Sequence, residues 1–342
     1  MGDPWESKRW PLSAFAAVAL ALIALALAGC GVSSGGGSTG GPVAKDDEDG
    51  LSFTEDVFPD AKYWSRPIPK DTAIDPNSAM WVAYLLRRLD QRSPDAPFVN
   101  VRRYGVPVWV GGPTDPVARI GKCRDYPCPD AAGARVRVPK GARPDPGSDG
   151  HIVLIDADAG LSYELFRAKR SGDKWTGAGG ARVDYRDGDG GTGPVEGAVA
   201  AHTSLLAGLI RPDEIRRGHI DHALQMTLPG IGTGAPRCPA DYSVDTVTDA
   251  DAPPEGIVYQ LDPAFDVESS GLSRIAKIVA RALQRYGAVV VDNGGQIAFR
   301  AENFVGKSSD PWRKLGVDDD TISLAGLPLD KMRVIASPVC GE

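Results

Sequence analysis

HIVLIDADAGLSYELFRA, residues 151–168, decides the fold class. Alternation in HIVLID puts His151, Val153 and Ile155 on one face and Ile152, Leu154 and Asp156 on the other, the two-residue period of a strand. LSYELFRA repeats the pattern, with Ser162, Glu164, Phe166 and Ala168 sharing a face. DADAG between the two runs has the composition of a turn. The stretch therefore reads as a β-hairpin, with His151 and Glu164 as polar groups on faces otherwise suited to burial.

The same grammar extends outward. FVNVRRY, VPVWV, VARI, RVRVP, IVYQLDP and KMRVIA are short runs rich in Val and aromatics, separated by Gly, Pro and Asp clusters, which is how strands are punctuated. HIDHALQMTL reads as a further strand, and AVVVDNGGQIAFRAE as a hairpin turning at NGG. Two segments break to helical spacing. DPNSAMWVAYLLRRLD (75–90) opens on Asp75 and Pro76, and LSRIAKIVARALQRYG (272–287) carries Leu272, Ile275, Val279 and Leu283 on one stripe. RPDEIRRG adds a turn of helix. Many short strands with few helices predict a mainly β fold, a β-sandwich or jelly-roll, built as a single domain over residues 51–342 with two or three short helices.

The N-terminus reads as an address. Lys8 and Arg9 precede the apolar run PLSAFAAVALALIALALA, which ends in LAGC (27–30). A charged n-region followed by a hydrophobic h-region is a leader rather than part of the fold, and LAGC resembles the lipobox of bacterial lipoproteins, in which Cys30 becomes the lipidated N-terminus. An uncleaved transmembrane anchor is the competing reading. Residues 1–29 are then a signal peptide and residues 30–50, GVSSGGGSTGGPVAKDDEDG after Cys30, a flexible tether. The expected location is the outer face of the cell membrane, reached through lipid on Cys30. The net charge of −7 argues against nucleic acid as a partner, and a monomer is expected. Four further cysteines, Cys123, Cys128, Cys238 and Cys340, suit an oxidising compartment. The expected pairs are Cys123 with Cys128 and Cys238 with Cys340; a zinc site is the rival, but no His lies at ligand spacing from CRDYPC.

YWSRPIPKDTAIDPNSAMWVA, YGVPVWV, PGSDGHIVLID, YELFRA, GLIRPDEIRRGHIDHAL and RYGAVVVDNGG, taken together and in this order, resemble a family of exported actinobacterial proteins. Some members of that family are joined to carbohydrate-binding modules. The resemblance runs from about residue 57 to 301. It implies an extracellular location, a β-rich fold and a connection to glycans, and it carries no catalytic residues onto this chain.

The candidate chemistry centres on carboxylates and histidines. Glycoside hydrolysis needs two convergent carboxyl groups, and the candidate pair is Glu164 with Asp292, the latter ending the run AVVVD. His151 is the candidate orienter or sugar contact. Trp109, Tyr163 and Trp175 are candidate sugar platforms, though core packing is the commoner fate of an aromatic. His222 in GHIDHAL is either a hydrogen-bonded core histidine or a group reaching a cleft, and His202 in AAHTSLL is read as a packing or solvent residue. DGDGGTGPVE aligns in part with a calcium loop through Asp187, Asp189 and Glu196, but Tyr185 stands where the first ligand belongs and Pro194 interrupts the loop; no cofactor is otherwise required. The chain has no GxSxG elbow ahead of a helix, no phosphate-binding glycine loop and no thiol in a nucleophile's setting. The expected function is a surface-anchored, glycan-active protein, a glycoside hydrolase or polysaccharide lyase. The alternative is a non-catalytic lipoprotein that binds carbohydrate or cell envelope.

Overall fold

The structure is a computed structural model that describes residues 56–92, 97–192 and 196–340. The leader, the tether and Cys30 lie outside the described residues. The chain begins with α1 (Ser78–Arg92), then β1 (Phe98–Asn100), β2 (Val106–Val110), β3 (Val117–Ile120) and β4 (Arg135–Arg137). The hairpin β5 (Ile152–Asp156) and β6 (Leu161–Phe166) leads to β7 (Lys169–Ser171), β8 (Lys174–Thr176) and β9 (Gly179–Asp184). Next come α2 (Pro212–Arg217), β10 (Leu224–Leu228), β11 (Val258–Leu261), α3 (Arg274–Arg285), β12 (Ala288–Asn293), β13 (Ala298–Arg300) and β14 (Glu302–Asn303). The described chain closes with α4 (Pro311–Lys314), β15 (Thr321–Ser323) and β16 (Met332–Val334).

The result is mainly β and sandwich-like, as the short runs predict. Seven strands pair in the order β15-β1-β13-β10-β12-β11-β16, five in the order β14-β2-β5-β6-β9, and four in the order β4-β3-β8-β7. Three apolar cores separate the layers. Leu224, Met226, Leu228, Val290 and Phe299 pack beneath Trp81 and Leu85 of α1 and Val279 and Leu283 of α3. Val289 and Val291 on the other face meet Val108, Val153, Ile155 and Val183 of the five-stranded sheet. The far side of that sheet, through Ile152, Leu154 and Leu165, covers Ile120 and Trp175 of the smallest sheet. Alternating faces of β5 thus enter two different cores, which explains why HIVLID is apolar on both sides.

α3 starts where Ser273 accepts the Ala276 N–H, and its buried stripe follows the predicted spacing. Four α-helical segments occur among the described residues, α2 and α4 being little more than a turn each. None is long and apolar enough to cross a membrane. Cys123–Cys128 and Cys238–Cys340 are both disulfide-bonded.

Two expectations change. The NGG hairpin is not a hairpin: β10 lies between β12 and β13, parallel to the first and antiparallel to the second. The connection after Asn293 crosses the end of β10, where Gly294 N donates to Leu228 O. All five residues of β10 are buried, and a central strand needs partners on both edges to satisfy its backbone. HIDHALQMTL is strand only from Leu224, because residues 219–223 turn back from α2.

Residues 196–209 form a buried, irregular strap between the two larger sheets. Ala198, Val199, Ala201, Leu205, Leu206 and Leu209 fill the inter-sheet core. A non-repetitive segment placed there leaves backbone groups that no ladder satisfies, and buried side chains supply the partners. Glu164 accepts from Leu205 N at 2.6 Å and from Ser204 Oγ at 2.5 Å. Gln225 of β10 donates to the carbonyls of Ser204, Leu205 and Ala207. His151 Nε2 meets Ala198 O at 2.8 Å, and Ala201 N donates to Val291 O. Gly208, at φ 75°, must be glycine, since a Cβ would meet Trp64 at 2.7 Å and Ala223 O at 2.8 Å.

Glu164→Ala leaves Leu205 N without its acceptor and should cost about 3 kcal/mol in chemical denaturation. Burial raises the Glu164 carboxyl to about 7. Its contribution to stability is therefore complete below its unfolded value and declines as pH rises through the folded one. The wild type should lose stability between about pH 4.5 and 7. In Glu164→Gln that part of the slope should disappear.

Candidate functional site

The site begins with a miscount in a ladder. β10 and β12 pair Met226 with Val290, but the next pair is Thr227 with Asp292, leaving Val291 unpaired. Such a bulge re-aims the residues beyond it. Strict alternation would put Asp292 on the helix side with Ala288 and Val290. Opposite Thr227, it turns instead to the inter-sheet face, which Gln225 also occupies.

There it meets Arg300. β13 pairs Ala298 with Thr227 and Phe299 with Met226, so Arg300 follows on the inter-sheet face. Its Nη2 lies 2.8 Å from Asp292 Oδ2. The guanidinium is almost wholly buried, whereas 22% of the Asp292 side chain is exposed. A buried cation demands a nearby anion, and three more ionisable groups gather around this one. Glu255, fully buried ahead of β11, accepts from Val244 N, and its own N–H donates to Ser243 Oγ. His151 comes from the start of β5, and Asp149 stands half-buried beside it.

Their titrations are pushed apart. Burial, and then the Asp292 charge, lifts Glu255 to about 10, so it carries its proton at neutral pH. Asp292 is also raised by burial, with Arg300 opposing the rise. Burial, followed by the Arg300 charge, lowers His151 to about 4 and keeps the imidazole neutral. Because Nε2 donates to Ala198 O, Nδ1 is the acceptor nitrogen. His151 Nδ1, Glu255 Oε1 and Arg300 Nη1 are buried without a protein partner: an acceptor, a carboxyl oxygen and a donor. A cavity of about 320 Å³ is lined by Arg88 of α1, Gly230, Thr246, Val247, Asn293 and Gly294, and by none of the five cluster residues. It opens at the carboxyl ends of the parallel strands β10 and β12, where open sheets with parallel strands commonly receive ligands.

Of the residues singled out in the sequence, Asp292 and His151 belong to this cluster. Glu164 does not function with them. The register sets Glu164 opposite Val153, so it shares a face with His151, but that face is the packed inter-sheet core and both carboxylate oxygens hold the strap or Ser162. Trp109, Tyr163 and Trp175 are core residues on the other side of the sheet, with Trp175 fully buried and Trp109 Nε1 donating to Arg143 O. None offers a sugar platform. His222 is held by Glu214 Oε1 at 2.9 Å and lies against its own turn, not in the cleft. The calcium reading is not supported. Glu196 Oε1 accepts from Asp130 N and Asp189 Oδ1 from Gly191 N, while Asp187 N donates to Asp184. Among the described residues no three His, Cys, Asp or Glu side chains converge as a metal site.

Glu255, Arg300 and Asp149 were not singled out in the sequence. Arg300 gave a usable signal, since a cation ends the apolar run QIAF on a strand with no polar alternation. Glu255, between Pro254 and Gly256, looks like any loop carboxylate. No protein-family model, curated protein or solved structure matches the chain.

Asp292→Asn removes the charge that helps raise Glu255. The Glu255 carboxyl resonance, followed by carbon NMR, should titrate below its wild-type value of about 10. Stability carried by protonated Glu255 is lost between its unfolded value of about 4.5 and that folded value, so the loss should end at lower pH, and be smaller, in the variant.

Proposed function

We propose that this chain is a lipid-anchored, extracytoplasmic enzyme that cleaves a glycan by acid–base chemistry at the Asp292–Glu255 cluster. The observation that carries the reading is the bulge at Val291, which turns Asp292 onto buried Arg300 beside Glu255 and His151. A pair of carboxyl groups, one to give a proton and one to take it, is what general acid–base cleavage of a glycosidic bond requires. Glu255 holds the proton for the leaving oxygen. Asp292, ion-paired with Arg300 and partly open to solvent, is the base. Neutral His151 presents Nδ1 as a hydrogen-bond acceptor for a hydroxyl group, and Arg300 Nη1 is a donor. The leader, LAGC and the two disulfides support placement outside the cytoplasm.

Incubation of the protein with a polysaccharide panel, reading reducing ends and unsaturated products, tests the activity. Asp292→Asn and Glu255→Gln should each lower kcat by roughly 10²–10⁴, whereas Glu164→Gln should change it only in proportion to the folded fraction. Full activity in both cluster variants would remove the assignment. Binding without product would favour the lectin-like alternative. Cys30→Ser should move the protein from the membrane fraction to the soluble one, read by blotting.

A further inference from the structure

One pair of rings beside the cluster has no part in the chemistry so far described. His202 and Tyr242 stack with centroids 4.7 Å apart and planes 12° from parallel. His202 Nδ1 lies 3.1 Å from Asp241 Oδ1. The contact is one of proximity rather than a hydrogen bond, and both atoms are buried without a hydrogen-bond partner. Some 15% of the His202 side chain and 30% of the Asp241 side chain are exposed. Tyr242 is 48% exposed and is among the few large apolar residues at the described surface.

The backbone at His202 is unusual. Its φ is 53°, in the left-handed region that residues with side chains seldom adopt. Neighbouring bonds hold it there. His202 N donates to Val199 O, Thr192 N donates to His202 O, and Ala201 N is fixed on Val291 O of the bulge. Glycine would occupy this conformation without strain, yet the chain places an imidazole there, at the point where the strap turns towards solvent.

Both rings are wired to the cluster from opposite sides. One residue before His202, the strap grips the bulge that aims Asp292. Immediately after Tyr242, Ser243 Oγ and Val244 N hold Glu255. The same segment continues to Thr246, which donates to Oδ1 of Asn293, the residue after Asp292. The disulfide Cys238–Cys340 anchors its near end.

We infer that His202, Asp241 and Tyr242 form a sugar-binding subsite that extends the Asp292–Glu255 cluster. A pyranose ring stacks its apolar face on the outer side of Tyr242, as carbohydrate rings do on exposed aromatics, while its hydroxyls bond His202 Nε2 and Asp241. The inference rests on the glycan-active reading and names where that glycan is held.

The test combines thermal denaturation with NMR titration of the protein and of His202→Gly and Tyr242→Ala. The probes are xylohexaose, chitohexaose, laminarihexaose and hexagalacturonate, with product release measured in parallel. Only four histidines occur in the chain, so the His202 ring signals can be assigned by substitution. Glycine relieves the left-handed strain, so His202→Gly should keep or raise Tm. At least one hexasaccharide should shift the His202 signals, and its Kd should weaken about tenfold in both variants, the loss of one stacking or polar contact. A fall in Tm with unaltered binding in His202→Gly would make the histidine a packing residue and overturn the subsite. Cleavage that is indifferent to Tyr242→Ala also overturns it and leaves the acid–base reading standing. Binding at these rings without cleavage keeps the subsite and removes the enzyme. Neither binding nor cleavage across the panel removes both.

Discussion

The bond between Glu164 and Leu205 N is the constraint on which the arrangement of the layers depends. A strap without regular structure runs through the space between two sheets, where water cannot satisfy its backbone. Its amides and carbonyls are met by side chains of both sheets: Glu164 and His151 on one side, Gln225 on the other. Burying a carboxyl costs free energy unless hydrogen bonds offset it. Here Ser162, Ser204 and Leu205 all donate to it, and the strap becomes a third partner that fixes the separation of the sheets.

This arrangement joins packing to chemistry. The strap that Glu164 clamps also touches both ingredients of the site: Ala198 O orients His151, and Ala201 N holds the carbonyl of the bulged Val291. The cluster around Arg300 is assembled from residues 149, 151, 255, 292 and 300, which approach through topology rather than through sequence. Its members adjust one another. The Asp292 charge helps keep Glu255 protonated, and Arg300 restrains Asp292 while disfavouring a charge on His151.

Much of the fold was legible where local periodicity decides the outcome. The hairpin at 151–168 and the helix at 274–285 follow their patterns because each buries a face that its own spacing defines. The order of strands was not legible. NGG is good turn chemistry whether the strands it joins are neighbours or are parted by β10, and only the long-range demand of β10 for two partners separates the cases. The polar pair His151 and Glu164 stood out correctly as groups needing an explanation, but a clamp for buried backbone and a catalytic acid leave the same trace in one sequence. Asp292 could be placed at a strand end by its pattern; the face it occupies depends on a bulge that AVVVD does not announce.

The bulge has a consequence for how this protein can change. In a regular strand, the face on which a charge appears is a matter of parity, and parity is altered by counting rather than by chemistry. Inserting one residue into β10 opposite Val291 would let the ladder close without a bulge while sending the carboxylate to the opposite side of the sheet. A lineage could therefore lose or acquire this buried anion through a one-codon insertion or deletion, with every functional side chain still present in the gene. Among relatives of this chain, spacing within the strand would then be a better guide to shared chemistry than the identity of the residues it carries.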